Sequence, residues 1–141
     1  MATTGTLARG QALKARFGSG KTSLALTTLY IALFIGDPLG TGVEATGGGY
    51  GRAAVDNVDA LWGTIALDAV SITNISSINF PVSTGSYAPI GPYDMWAIMS
   101  TPGPGGGVVW YTGAIANALS VLAATDQPRF PAGSLTIYQD A

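Results

Sequence analysis

Residues 29–55 read LYIALFIGDPLGTGVEATGGGYGRAAV, and the fold class follows from how this stretch breaks and restarts. Tyr30, Ile31 and Phe34 are β-branched or aromatic residues in an apolar run, which favours a strand from about Thr28 to Ile35. Asp37-Pro38-Leu39-Gly40 predicts a turn, because proline presets φ and an aspartate carboxylate closes its own backbone turn. Thr41 to Gly49 reads as a loop. Its three consecutive glycines, Gly47-Gly48-Gly49, predict positive φ or close backbone approach. The strand pattern restarts at Tyr50 and runs to Val55. Glu44 is the chain's one glutamate, and Arg52 follows eight residues later. An arginine fork suits a carboxylate, so the two form a candidate brace across the glycine-rich loop.

N-terminal to this stretch, Thr4 to Phe17 predicts a short helix in which Leu7, Leu13 and Phe17 share one apolar edge. Gly18-Ser19-Gly20 ends it. The run Ala15 to Thr22 fits a relaxed phosphate-loop pattern, but such a loop needs a buried strand before it and a helix after it. Here the preceding residues carry Arg9, Lys14 and Arg16, so the glycines are read as a helix stop. Arg9, Lys14, Arg16 and Lys21 supply four of the six basic residues, and no acidic residue precedes Asp37. Residues 1–22 therefore form a basic arm, with a solvated helix face as the plain reading and docking on an acidic surface as the functional one.

C-terminal to the stretch, short strand signals alternate with turns. Asp56-Asn57 and Asp59 fall in a turn, followed by apolar runs at Leu61–Leu67 and Ala69–Ile72. Asn74 to Phe80 alternates with period 2. Tyr93–Met99 and Val108–Ile115 flank the segment 101–107, which is rich in glycine and proline and reads as a hairpin connection. Ala118 to Ala124 is ambiguous between strand and helix, and Ser134–Tyr138 closes the chain. This spacing predicts an antiparallel β-sandwich, jelly-roll or Greek-key-like, over residues 23–141 as a single domain.

The composition removes whole classes of chemistry. There is no histidine and no cysteine, which eliminates Ser-His and Cys-His nucleophiles, thiolate zinc sites and disulfides. The carboxylates are dispersed; Asp37, Glu44 and Asp94 are the candidates for calcium, with no dense acidic loop among them. No catalytic residue, cofactor or metal ligand is assigned. Trp62, Trp96 and Trp110 are candidates for an interface or a glycan-stacking face, against a plain reading as core. The acidic body beyond the arm argues against direct nucleic-acid binding. The apolar run Ser23–Gly36 falls short of the ~20 residues that span a bilayer, so no membrane contact is expected. Only 10% of residues are charged while 48% are hydrophobic, a balance that suits a chain buried in an assembly.

The segments Leu29-Tyr30-Ile31-Ala32-Leu33-Phe34, Asp37-Pro38, Gly40-Thr41-Gly42-Val43-Glu44 and Gly47-Gly48-Gly49-Tyr50-Gly51-Arg52 resemble a family of small tailed-phage tail-fibre or minor virion proteins. Asn74 to Pro81, Gly106 to Ala114 and Pro131 to Ile137 extend the resemblance, while Asp94-Met95-Trp96 departs from it. The resemblance implies a non-enzymatic virion component, assembled in the bacterial cytoplasm. A homo-oligomer is expected, with a trimer among the expected forms; the basic arm, compact single domain and lack of a fibrous repeat favour a capsid decoration or head-fibre-base protein. Its expected partners are itself and the major capsid protein or other virion proteins, met through the arm. A tail fibre or baseplate component that binds host surface glycans is the alternative.

Overall fold

The computed structural model describes residues 12–21, 26–66, 69–89, 91–121 and 123–138. Arg9, most of the expected N-terminal helix and the run 22–25 lie outside them. The protein is mainly β, built from antiparallel sheets that do not close into a barrel, with a short N-terminal helical segment. The chain divides into two compact units. One takes residues up to Thr28, Asp56–Ser77 and the chain from Pro131; the other takes Leu29–Val55 and Ile78–Phe130.

The second unit is built on β1 (Thr28–Ile35). The strands β2 (Val43–Glu44), β3 (Ala53–Asp56), β6 (Tyr93–Met99) and β7 (Val109–Leu119) complete a five-stranded sheet in the order β2-β1-β6-β7, with β3 also paired to β1. β1 is thus a central strand covered on both faces, which is why its sequence is a continuous apolar run instead of an alternation. Its even-numbered side chains join one cluster: Ala32 and Phe34 pack with Ala97 and Met99, flanked by Tyr30, Met95 and Val109. Its odd-numbered side chains fill the other face, where Ile31 is paired with Ile98 and Leu33 with Trp96. Trp96 lies across from Gly113 on β7. Its indole occupies the space a side chain there would need, with Cζ2 only 2.6 Å from where a Cβ would stand. A two-stranded pair of β5 (Ile78–Asn79) and β8 (Arg129–Phe130) belongs to the same unit.

The β1–β2 connection is a turn of the expected kind. Asp37 Oδ1 accepts the Leu39 N–H at 2.9 Å, and the Asp37 carbonyl accepts from both Gly40 and Gly42. The glycine triplet meets both expectations held for it. Gly47, Gly48 and Gly49 all have positive φ, and a Cβ on Gly48 would stand 2.4 Å from the Ser86 carbonyl oxygen. Thr84 N–H also donates to the Gly48 carbonyl at 2.8 Å. Gly48→Ala combines a left-handed backbone with a backbone clash. It should therefore lower unfolding free energy by about 2–4 kcal/mol, read from urea denaturation.

The first unit holds α1, helical over 12–16 among the described residues, the single helical turn α2 (Asp59–Trp62), and the pair β4 (Ser71–Thr73) with β9 (Thr136–Tyr138). Leu13 and Phe17 are both fully buried, the apolar edge expected of that helix. Gly18 follows with φ of 78°.

Four local expectations need correction. Leu61 begins no strand: residues 59–62 form α2, closed where the Gly63 N–H reaches the Asp59 carbonyl at 2.6 Å. Asn74 to Phe80 alternates in sequence, yet only Ile78–Asn79 is strand, because Asn74 turns inward to bond backbone groups. Tyr50 to Arg52 precede β3, the side chains of Tyr50 and Arg52 drawn into a polar cluster. The ambiguous 118–124 segment is strand as far as Leu119, and its other described residues are neither strand nor helix. No described helix is long and apolar enough to cross a membrane.

Candidate functional site

Among the described residues a dense polar constellation lies where β2, the approach to β3 and the β6–β7 loop converge. β1–β2 pairing sets Glu44 opposite Phe34. Arg52 donates through Nε to Glu44 Oε2 at 2.8 Å and through Nη2 to Oε1 at 2.7 Å, a bidentate fork. The two side chains are 0% and 7% exposed, so the pair is buried. Tyr50 OH donates to Glu44 Oε2 at 2.8 Å and itself accepts the Leu33 N–H at 3.2 Å, tying the cluster to β1. The remaining bonds reach the β6–β7 loop. Arg52 Nη1 donates to the Thr101 carbonyl at 2.7 Å, and Gly105 N–H donates to Glu44 Oε1 at 2.9 Å.

Burial pushes the Glu44 carboxyl up, but hydrogen bonds from Arg52, Gly105 and Tyr50, with the Arg52 charge, outweigh it and hold the group below its ordinary value. Burial, reinforced by the Glu44 carboxylate, pushes the Tyr50 phenol up. The phenol thus keeps its proton and the carboxylate lacks one, the protonation states that the hydrogen bonds require. Both Glu44 oxygens already accept two donors each. That is the chemistry of a clamp: the carboxylate is saturated and has no proton to exchange at neutral pH.

The other sequence candidates are placed apart from this cluster. Lys14 and Arg16 are exposed on α1. Lys21 is engaged internally, its Nζ donating to the Asn57 carbonyl at 2.8 Å and to the Gly18 carbonyl at 3.4 Å. A helix precedes its loop, so the phosphate-loop context is missing. Asp94 accepts the Gly36 N–H at 3.0 Å, and among the described residues no three acidic side chains come together. Trp62 and Trp96 are core residues, 5% and 3% exposed. Trp110 is partly exposed and meets Tyr111 edge to face.

Two buried asparagines do structural work that the sequence reading missed. Asn57 Nδ2 donates to the carbonyls of Arg16 and Leu26 at 2.6 and 2.8 Å. Its Oδ1 accepts from Gly18 N–H at 2.8 Å and Trp62 Nε1 at 3.2 Å. Asn74 similarly donates to the carbonyls of Ser76 and Pro131 and accepts the Leu135 N–H. No local pattern marks either residue, since most of their partners are distant in sequence: Arg16, Gly18 and Leu26 for Asn57, Pro131 and Leu135 for Asn74.

Tyr87 is the counter-example. Among the described residues its buried hydroxyl has no hydrogen-bond partner, and its ring packs edge-on against Tyr50 and Tyr93. Tyr87→Phe keeps the ring contacts and removes an unsatisfied polar atom. It should raise unfolding free energy by about 1 kcal/mol, and a loss of stability in denaturant melts would contradict this account.

The saturated Glu44–Arg52 clamp and the glycines packed on backbone brace the fold of a charge-poor, mainly β chain. The family model described as podophage GP4 fiber I protein gp80 matches residues 6–138, and the chain belongs to that family. No curated protein and no solved structure matches it significantly. The expectation of a phage virion fibre family therefore holds at that level.

Proposed function

We propose that the chain is a non-enzymatic, self-associating fibre subunit that docks on the phage particle through its basic N-terminal segment, as a head-fibre base or capsid decoration. The observation that carries the reading is the fibre-family match over nearly the whole chain, joined to a dense polar cluster that is saturated and internal. Exposed Lys14 and Arg16 on α1 support the docking segment. The absence of any internal repeat favours a short base over a long shaft. The docking charge is assigned to Arg9, Lys14 and Arg16.

Quantitative mass spectrometry of purified particles tests this. Hundreds of copies indicate decoration, a few dozen or fewer indicate a tail or vertex fibre, and absence overturns the reading. Neutralising Arg9, Lys14 and Arg16 together should weaken attachment and flatten its salt dependence; unchanged occupancy at every salt concentration would refute electrostatic docking. The glycan-binding alternative loses Trp62 and Trp96 to the core, leaving Trp110 as its aromatic. A glycan array without hits would count against it.

A further inference from the structure

Residues 12–21 of the basic segment are fastened to their own unit in two ways. Leu13 and Phe17 turn one side inward and are fully buried, and the Phe17 ring meets Trp62 of α2 edge to face at 5.4 Å. Polar groups then fix the chain beyond α1. Asn57 Nδ2 donates to the Arg16 carbonyl at 2.6 Å, and Asn57 Oδ1 accepts the Gly18 N–H at 2.8 Å. Asp59 Oδ1 accepts the Ser19 N–H at 2.9 Å, while Ser19 Oγ accepts the Asp59 N–H at 3.0 Å. Lys21 Nζ donates to the Asn57 carbonyl at 2.8 Å. What faces the fold is thus apolar side chain or paired backbone, while Lys14, Arg16, Ser19 and Gly20 are exposed.

We infer that Asn57 and Asp59 are positioning residues for particle docking: they hold the basic segment as a preformed surface, which meets an acidic face of another virion component already ordered. The inference rests on the docking reading of the N-terminal segment and deepens it by naming what sets the pose of its charges. The physical reason is where the ordering cost falls. A tail that orders on contact loses its conformational freedom at that moment, and the loss subtracts from affinity. A segment ordered in the free chain has already lost that freedom in folding. A fixed backbone also fixes where Lys14 and Arg16 stand relative to each other, and so the arrangement of acidic groups that they match. Asp59 separates the two cases by sign. As a charge beside a basic segment it opposes docking on an acidic surface; as a fastener of that segment it favours docking.

Rebinding of the purified full-length chain to particles assembled without it tests this, with hydrogen exchange read on the free chain. The Gly18 and Ser19 amides should be protected before any particle is added, and rapid exchange at both would overturn the inference. Asn57→Ala with Asp59→Ala should weaken rebinding about 10-fold or more, although it removes a negative charge. Its salt dependence should stay that of the wild type, because the basic groups are untouched. Asp59→Asn loses the same charge but keeps an acceptor for the Ser19 N–H, and should bind at least as tightly as wild type. A double variant that folds, by circular dichroism, and rebinds as tightly as wild type or more so would overturn the inference. Should it not fold, Ser19→Cys with Asp59→Cys, in this otherwise cysteine-free chain, locks the segment on its seat. The oxidised form should rebind as tightly as the reduced one; weaker rebinding, or failure of the disulfide to form, would overturn the inference. Neutralising Arg9, Lys14 and Arg16 in the same assay keeps the two readings apart. No effect there sinks the docking reading, whereas an effect there with none from the seat variants sinks the seat alone.

Discussion

Arg52→Met is expected to lower folding stability by about 3–5 kcal/mol, because it leaves the buried Glu44 carboxylate without its counter-charge. The same change strips the Thr101 carbonyl of its Nη1 donor. Glu44→Gln should cost a similar amount by leaving the fully buried guanidinium without an anion. The double variant should cost less than the sum of the two singles, since the second change removes the charge that the first left stranded. Urea denaturation of the four proteins measures this cycle, and a single-variant cost below about 1 kcal/mol would show that the pair is not desolvated. The pair also predicts a pH dependence. The folded chain holds the Glu44 carboxyl below its ordinary value of 4.5, so protons bind the unfolded chain preferentially. The stabilisation is complete above about pH 4.5 and erodes as pH falls through the depressed folded value. Glu44→Gln should flatten that acid limb.

The second large effect belongs to Asn57. Asn57→Ala should lower stability by about 3–4 kcal/mol, because it orphans the Gly18 and Trp62 N–H groups and the Arg16 and Leu26 carbonyls together. Asn57→Asp should be nearly as harmful. It retains an acceptor for Gly18 and Trp62 but turns an oxygen toward two carbonyl oxygens that had a donor. Thermal unfolding gives the magnitude. Trp62 fluorescence gives the mechanism, since its indole N–H bonds Asn57 directly. An Asn57→Ala protein as stable as wild type would show that these groups find other partners.

These two sites differ in how far they could be read in advance. Glu44 and Arg52 stood out because each is rare in its surroundings and they flank one short loop, so the geometry needed only local closure. What spacing did not reveal is their joint hold on Thr101 and Gly105, which depends on β6 and β7 being the sheet neighbours of β1. Asn57 looked like an ordinary turn residue. Its burial depends on Arg16 and Leu26, residues 41 and 31 positions away. Trp62 was equally ambiguous, since an indole in an apolar run suits a core and a binding face alike until its neighbours are known.

By itself, the sequence determined what short-range physics controls. Those features are the β1 strand with its Asp37-Pro38 turn, the helix stop at Gly18, the positive-φ glycines 47–49, the β6–β7 hairpin, the mainly β class, and the exclusion of histidine and cysteine chemistry. Backbone sterics and side-chain inventory act over a few residues and leave little choice at these positions. Only the tertiary structure decided that Leu29–Val55 builds one unit while Asp56–Ser77 builds another. It also decided that Leu61 and Trp62 lie on a helical turn, that Asn57 and Asn74 are internal hubs, and that the half-buried Lys21 is tied to the Asn57 carbonyl. Each of these outcomes depends on which distant backbone group arrives with an unsatisfied donor or acceptor. That pairing is set by packing of the whole chain, and no local pattern encodes it.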